Sequence, residues 1–349
     1  MRDIKSMTLE ELKDEMKAIG EKPFRATQLY DWMHVKLARS FDEMSNLSKE
    51  LREKCKANYE YTSVKQVQMQ ESAIDGTRKY LFEMADGSLV ESVWMKYKHG
   101  NSVCISSQVG CRMGCAFCAS TLDGLERSLA PSEMLDQIYA ISLHTGERVS
   151  NVVVMGTGEP MDNYDNLLRF LELLTKEGGL HISQRNLTVS TCGIVPKIKE
   201  FADFDLQINL AISLHAPNDE LRSSLMKINK RYSLSEVMEA LNYYFIKTNR
   251  RVTFEYILLQ GINDSKEHAK ELVRLIKQTD EVGKCCYVNL IPYNEVSTKP
   301  FKRTSHEQAE AFFKVLHDNN IQATLRMEHG SDISAACGQL RAKKERING

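Results

Sequence analysis

The sequence carries no excess charge of either sign. Among 349 residues, 46 lysines and arginines stand against 47 aspartates and glutamates, a formal net charge of −1. A whole-molecule polycation is excluded, so nucleic acid would have to be met by local patches. Long apolar runs are missing too, and none approaches the roughly 20 residues that span a bilayer. No membrane association is expected. The stretch MRDIKSMTLEELKDEM is charged from its second residue and holds no apolar core segment. No secretory signal is therefore expected, and the location expected is cytoplasmic. Internal repeats, low-complexity tracts and long flexible linkers are also lacking in the sequence. Structural disulfides are rare in the cytoplasm. The nine cysteines thus point to metal binding or redox chemistry more than to covalent staples.

What is present is pattern. Leu9, Leu12, Met16 and Ile19 recur at helical spacing, and LSKELREKCKANY continues the period. Residues 1–62 read as a small helical domain. Between 63 and 97, short strands are separated by Asp75-Gly76 and Asp86-Gly87, dipeptides suited to tight hairpins. This stretch reads as an antiparallel β extension. From 98 to 349 the chain alternates: SVCISSQ, NVVVMG, NLTVST, INLAISLH, VTFEYILL and YVNLIPY are strand-like, with helical segments between them. A last helix near Ser305 precedes a strand at IQATLR. Six strand-then-helix units in series imply an α/β fold with parallel strands and right-handed crossovers. An open or closed barrel follows, with its chemistry at the carboxyl ends of the strands.

Within CISSQVGCRMGCAFCAS, Cys111, Cys115 and Cys118 form C-x3-C-x2-C directly after the first barrel strand. Three thiolates can wrap one inorganic centre, and on a four-iron cluster they leave one iron open, since the usual set is four. A structural zinc, which prefers four ligands, competes, with Cys104 as the fourth. Cys104, however, should lie inside a strand ahead of the loop. Downstream, polar groups and glycines recur where apolar strands end: Gly156, Gly158 and Glu159 in VVVMGTGEP, then Ser190, then Ser213 and His215, then Asn294. Singly these are turn residues; together they describe a ligand-lined mouth whose glycines let a ligand approach the backbone. Cys55, Cys192, Cys285 and Cys286 read as buried apolar thiols.

C-x3-C-x2-C after one strand and GEP after the next resemble radical S-adenosylmethionine enzymes. The fuller set CISSQVGCRMGCAFCAS, MGTGEP, LTVSTCGIVP, AISLHAPND, YILLQGIND, VNLIPYN and DISAACGQLRAK is similar to the RlmN/Cfr family of RNA adenine methyltransferases, from about residue 20 to the end. The resemblance implies a partial (β/α)6 radical S-adenosylmethionine barrel carrying the helical domain and β extension. It implies a [4Fe–4S] cluster on Cys111, Cys115 and Cys118, and S-adenosylmethionine contacts from Gly158, Glu159, Ser190, Ser213, Leu214, His215 and Asn294. Cys337 matches the methyl-carrying cysteine, Cys104 the resolving cysteine and Glu91 the proton acceptor. Carbon 2 of adenine is not nucleophilic, so polar transfer from a sulfonium cannot methylate it. In the family one S-adenosylmethionine methylates the carrier cysteine and a second yields the 5′-deoxyadenosyl radical, two per turnover. The carbon then adds to the base, and a disulfide between the two cysteines resolves the adduct.

Family substrates are adenosine 2503 of 23S rRNA and adenosine 37 of tRNAs. An electron donor such as flavodoxin or ferredoxin is implied, and a monomer is expected. Pro160 after Glu159, Ala216-Pro217 after SLH and Pro292 in LIPYN resemble the carbon-2 branch. The alternatives are carbon-8 methylation, as in the antibiotic-resistance branch, and a zinc-stabilised RNA-binding protein. The resemblance makes residues 1–62 an RNA-binding module, and makes Lys227, Lys230, Arg231 and the basic tail RAKKERING candidate phosphate contacts.

Overall fold

Apolar runs flanked by amphipathic helical segments bury best as a sheet covered by helices. The computed structural model of the chain describes residues 1–98, 100–204, 206–327, 329–336 and 338–340. Among these, ten strands make one sheet: β1 (Lys65–Glu71), β2 (Arg78–Glu83), β3 (Leu89–Tyr97), β4 (Gly100–Ile105), β5 (Val149–Val154), β6 (Leu187–Thr191), β7 (Asn209–Ser213), β8 (Val252–Leu258), β9 (Tyr287–Pro292) and β10 (Ala323–Leu325). Each strand pairs with the next in chain order. Pairing is antiparallel from β1 to β4 and parallel from β4 to β10. The parallel part is the partial barrel, with β10 a short strand beyond the six units expected. The 63–97 stretch is continuous with it, since Val93 on β3 pairs with Cys104 on β4.

Three helices, α1 (Leu9–Ala18), α2 (Phe24–His34) and α3 (Lys49–Asn58), precede the sheet. Crossovers are made by α4 (Pro131–Thr145), α5 (Tyr164–Thr175), α6 (Val195–Asp203), α7 (Asp219–Leu225) with α8 (Leu234–Thr248), α9 (Lys266–Lys277) with α10 (Asp280–Lys284), and α11 (His306–Asp318). Starts are set locally. Thr8 and Ser233 each close a capping box with the glutamate three residues on.

The first helices are fastened to the barrel by polar groups with almost no access to water. Lys5 and Asp136 of α4 form an ion pair with side chains 2% and 5% exposed, and Lys5 Nζ also donates to the Thr62 carbonyl at 2.7 Å. His34 Nδ1 lies 2.7 Å from the Tyr139 hydroxyl of α4. Burial, and then the nearby Lys5 charge, lowers His34 from 6.5 to about 3.

An acid sensitivity follows. Below pH 6.5 the unfolded chain takes up a proton at His34 that the folded chain refuses. The stability from neutral His34 is complete above that pH and is lost as pH falls towards about 3, by up to about 1.4 kcal/mol per pH unit. Urea unfolding across this window should therefore show a shallower pH slope for His34→Gln than for the wild type. Equal slopes would disprove it.

Candidate active site

The site begins where β4 and β5 end. Gly156 N–H donates to the Ile105 carbonyl at 2.9 Å, and the N–H groups of Ser107 and Gln108 both donate to the Thr157 carbonyl. Thr157 N–H donates to Ser106 Oγ at 3.0 Å, and Glu159 N–H to Gln108 Oε1 at 2.9 Å. Two glycines make this seam possible. A Cβ on Gly156 would stand 2.7 Å from the Ile105 carbonyl oxygen, and one on Gly158 would stand 2.6 Å from Gln108 Cβ. Gly158 also has φ +108°. The glycines therefore serve the close packing of two strand ends, and both also line the cavity, where the ligand approach expected from sequence remains open to them.

From the seam the chain runs into the cysteine loop. Cys111 N–H donates to the Gly124 carbonyl at 2.8 Å, and Thr121 Oγ1 donates to the carbonyls of Cys115 and Cys118. Ala116 N–H donates to the Leu225 carbonyl, at the end of α7, at 2.8 Å. Cys111, Cys115 and Cys118 line one cavity with Cys104 of β4 and Cys192 after β6. Burial pushes Cys111 up to about 12 and raises Cys115 and Cys192 further. Soft thiol donors suit iron–sulfur chemistry. Three such donors from one loop, facing a single cavity, fit an iron–sulfur centre.

The cavity is ringed by the strand ends. Gly158, Glu159, Ser190, Ser213, His215 and Asn294 all line it. Glu159 is buried, and its oxygens accept from Met161 N–H at 3.0 Å and Cys192 N–H at 2.8 Å. Burial raises its carboxyl, against these hydrogen bonds. His215 sits at φ +58° and accepts from Ile257 N–H at Nδ1, 3.1 Å away. Burial, then the Arg222 charge, lowers it to about 3. Neutral with Nδ1 accepting, its proton belongs on Nε2.

Leu214 falls elsewhere: its side chain is fully buried outside the cavity lining, with its N–H bound to the Glu255 carbonyl. Glu91 on β3 shares a strand face with Val93 and Met95, which line the cavity, and pairs with Lys79 at 3.3 Å. Cys337 and the tail 341–349 lie outside the described residues. The residues flanking Cys337, Ala336 and Gly338, line the cavity. The Gly338 carbonyl accepts from Ala119 N–H at 2.8 Å, and the Leu340 carbonyl from Ser120 Oγ at 2.8 Å. Cys104 packs against the cluster formed by Val93, Met95, Ala335 and Leu340. Lys227 lies across the cysteine loop, its Cδ 3.1 Å from where a Gly114 Cβ would be.

Two residues went unnoticed in the sequence. Glu255 on β8 lines the cavity 5% exposed. One carboxylate oxygen accepts from Asn289 Nδ2 at 2.9 Å, and the other has no hydrogen-bond partner among the described residues. Arg222 of α7 is 0% exposed. Neither had a signal: one stands mid-strand among apolar residues, the other in a short polar helix.

Comparison with known proteins agrees with this layout. Residues 105–276 match the radical SAM superfamily model and residues 2–60 the ribosomal RNA large subunit methyltransferase N-terminal domain. The chain is 60% identical to a probable dual-specificity RNA methyltransferase RlmN of Lachnospira eligens, over 98% of this chain and 97% of that one. It is 50% identical to the protein of that name from Clostridium novyi, over the full length of both. Among solved structures, a radical SAM methyltransferase from Sphaerobacter thermophilus superposes with a TM-score of 0.93 at 42% identity, covering 98% of this chain and 100% of that chain.

The seam can be tested directly. Gly158→Ala combines φ +108° with the 2.6 Å clash, whereas Gly76→Ala adds a Cβ at φ +71° with nothing within 4 Å. Denaturant unfolding should show Gly158→Ala losing about 1–3 kcal/mol more than Gly76→Ala. Equal losses would mean that backbone strain alone, not the packed seam, requires the glycine.

Proposed function

Since the chain belongs to the RlmN/Cfr family and is a radical S-adenosylmethionine RNA methyltransferase of the RlmN type, we propose that it methylates carbon 2 of adenosine 2503 in 23S rRNA and of adenosine 37 in tRNAs. Membership implies a [4Fe–4S] cluster and S-adenosylmethionine and sets aside the zinc-protein alternative. The dual-specificity names of the relatives, with Pro160, Ala216, Pro217 and Pro292, support the carbon-2 branch.

The observation that carries the reading is the juxtaposition of Cys104, the three-cysteine loop and the residues flanking Cys337 around one cavity. Cys111, Cys115 and Cys118 would hold the cluster, which when bound supplies the electron that cleaves S-adenosylmethionine. Glu159, with both oxygens already fixed, keeps lone pairs for the ammonium group of the methionine moiety. Ser190, Ser213, His215 and Asn294 would hold the rest of the molecule and Gly158 would contribute backbone, whereas Leu214, with both peptide groups already bonded, would pack behind them. Two S-adenosylmethionine molecules are consumed, one to methylate Cys337 and one to activate that methyl group. After the carbon has joined the base, Glu91 accepts the ring proton. The adduct radical would return one electron to the oxidised cluster. The Cys104 thiolate would attack the Cys337 sulfur to form a disulfide as the sulfur–carbon bond breaks, and the electron pair left on the carbon would take up a proton to complete the methyl group.

A flipped base enters such a buried site most readily from single-stranded RNA. We assign residues 1–62 to RNA binding, 63–97 to the β extension and 98–349 to the barrel and carrier segment. Lys227, Lys230 and Arg231, all exposed, would contact phosphates. A flavodoxin or ferredoxin supplies electrons to a monomeric enzyme. No helix among the described residues is long and apolar enough to cross a membrane.

Mass spectrometry of nucleosides from treated 23S rRNA and tRNA should reveal 2-methyladenosine; 8-methyladenosine as the main product would move the chain to the other branch. Cys104→Ala should accumulate a protein–RNA crosslink, and Cys337→Ala should form neither crosslink nor product. Normal turnover by Cys104→Ala would remove its assigned role.

A further inference from the structure

Arg222 is the largest fully buried side chain among the described residues, and its surroundings raise a charge-balance problem. Every acceptor it reaches is neutral. Nη2 donates to the carbonyls of Cys192 at 2.7 Å and Ser213 at 3.1 Å, Nε to the Leu214 carbonyl at 3.1 Å and Nη1 to Asn229 Oδ1 at 2.9 Å. No carboxylate pairs with it among the described residues. The exposed Asp219 makes no hydrogen bond to it, acting across a distance and through Asn229, whose Nδ2 donates to Asp219 Oδ1 at 2.8 Å. The neighbourhood is otherwise apolar: Phe117, Leu225, Met226, Ile257, Leu259 and Tyr293 cluster with Cys192 and pack against Cys115 and Cys118. A buried guanidinium without a paired counter-charge is strongly destabilising, and neutral hydrogen bonds recover only part of that.

The anionic chemistry that can answer this charge is sulfur. Arg222 sits on α7, whose last carbonyl, Leu225, holds the cysteine loop through Ala116 N–H at 2.8 Å. Burial lowers Arg222 from its ordinary value, and the charges of Cys192 and Cys115, and then the more distant carboxylate of Asp219, act the other way.

We propose that Arg222 is the counter-charge of the metal-loaded cysteine loop, a positioning residue that binds three strand-end carbonyls while its charge offsets the ligating thiolates and the cluster they hold. This rests on the assignment of Cys111, Cys115 and Cys118 as ligands. A plain structural staple would stabilise the protein equally with and without the cluster. A counter-charge stabilises the loaded form more. It also favours the reduced, more negative cluster, so its removal lowers the reduction potential.

The test uses anaerobically reconstituted full-length enzyme as wild type, Arg222→Gln and Arg222→Lys. Thermal midpoints are measured with the cluster and after its removal by chelation, and potentials by EPR-monitored reductive titration. The gain in midpoint on loading should shrink in Arg222→Gln, and the potential should become more negative. Arg222→Lys keeps the charge but loses the planar fork. It should be less stable in both forms and still hold a near-wild-type potential, which also decides the matter if Arg222→Gln does not fold. Equal midpoint losses with an unchanged potential, or an Arg222→Lys potential displaced like that of Arg222→Gln, would overturn the proposal. A wild type that binds no iron would instead refute the ligand assignment beneath it.

Discussion

The seam between the ends of β4 and β5 is the constraint from which the rest of the site is built. Parallel strands leave their terminal carbonyls and N–H groups facing the barrel mouth, and here they are satisfied across the seam instead of by water. From it, Glu159 reaches Cys192 N–H at 2.8 Å, and the Cys192 carbonyl accepts from Arg222 at 2.7 Å. Arg222 lies on α7, whose Leu225 carbonyl takes Ala116 N–H of the cysteine loop. That loop returns along the chain to Gln108, which holds Glu159 N–H. The path closes on itself. Each member is buried or half-buried, so loosening one exposes or orphans polar groups in the next.

The same logic, with charge added, joins the first helices to the barrel. The Lys5–Asp136 pair is nearly inaccessible, and Asp136 is raised by its burial to about 6, against the opposing effect of Lys5. Desolvation therefore outweighs the attraction, and the pair adds little net stability over an apolar contact. Its effect is on geometry. Only one placement of the helices satisfies the Lys5 ammonium with both Asp136 and the Thr62 carbonyl, whereas an apolar interface could slide. The RNA-binding role proposed for residues 1–62 would need a fixed placement of this kind.

Much of this was legible in sequence for a definite reason. Strands buried on both faces read as apolar runs, and ligands within one loop keep a short spacing, so the barrel and the cysteine loop stood out. What depends on distant partners did not. The strands over 63–97 were recognised, but their continuity with the barrel rests on the Val93–Cys104 pairing, which no local pattern records. Gly156 and Gly158 were noticed for a ligand's approach, and the strand-end packing they also serve was not seen, because a glycine shows that something comes close and not what comes close. Cys192 was read as an apolar thiol, whereas its peptide groups join Glu159 to Arg222. Arg222 and Glu255 resemble ordinary surface charges until the fold buries them.

The cavity's own groups are also driven towards neutrality. Burial pushes Cys111 up to about 12, raises Glu159 and Glu255 and takes His215 down to about 3. Thiols, carboxyls and imidazole can all shed charge by moving a proton, while a guanidinium gives up its proton least readily. In a low-dielectric site an unbalanced permanent charge acts over a longer range than it would in water. Placing the arginine behind the strand ends, beyond the cavity lining, keeps it from competing for ligands at the mouth. From there it still acts on the one part of the site where negative charge must gather.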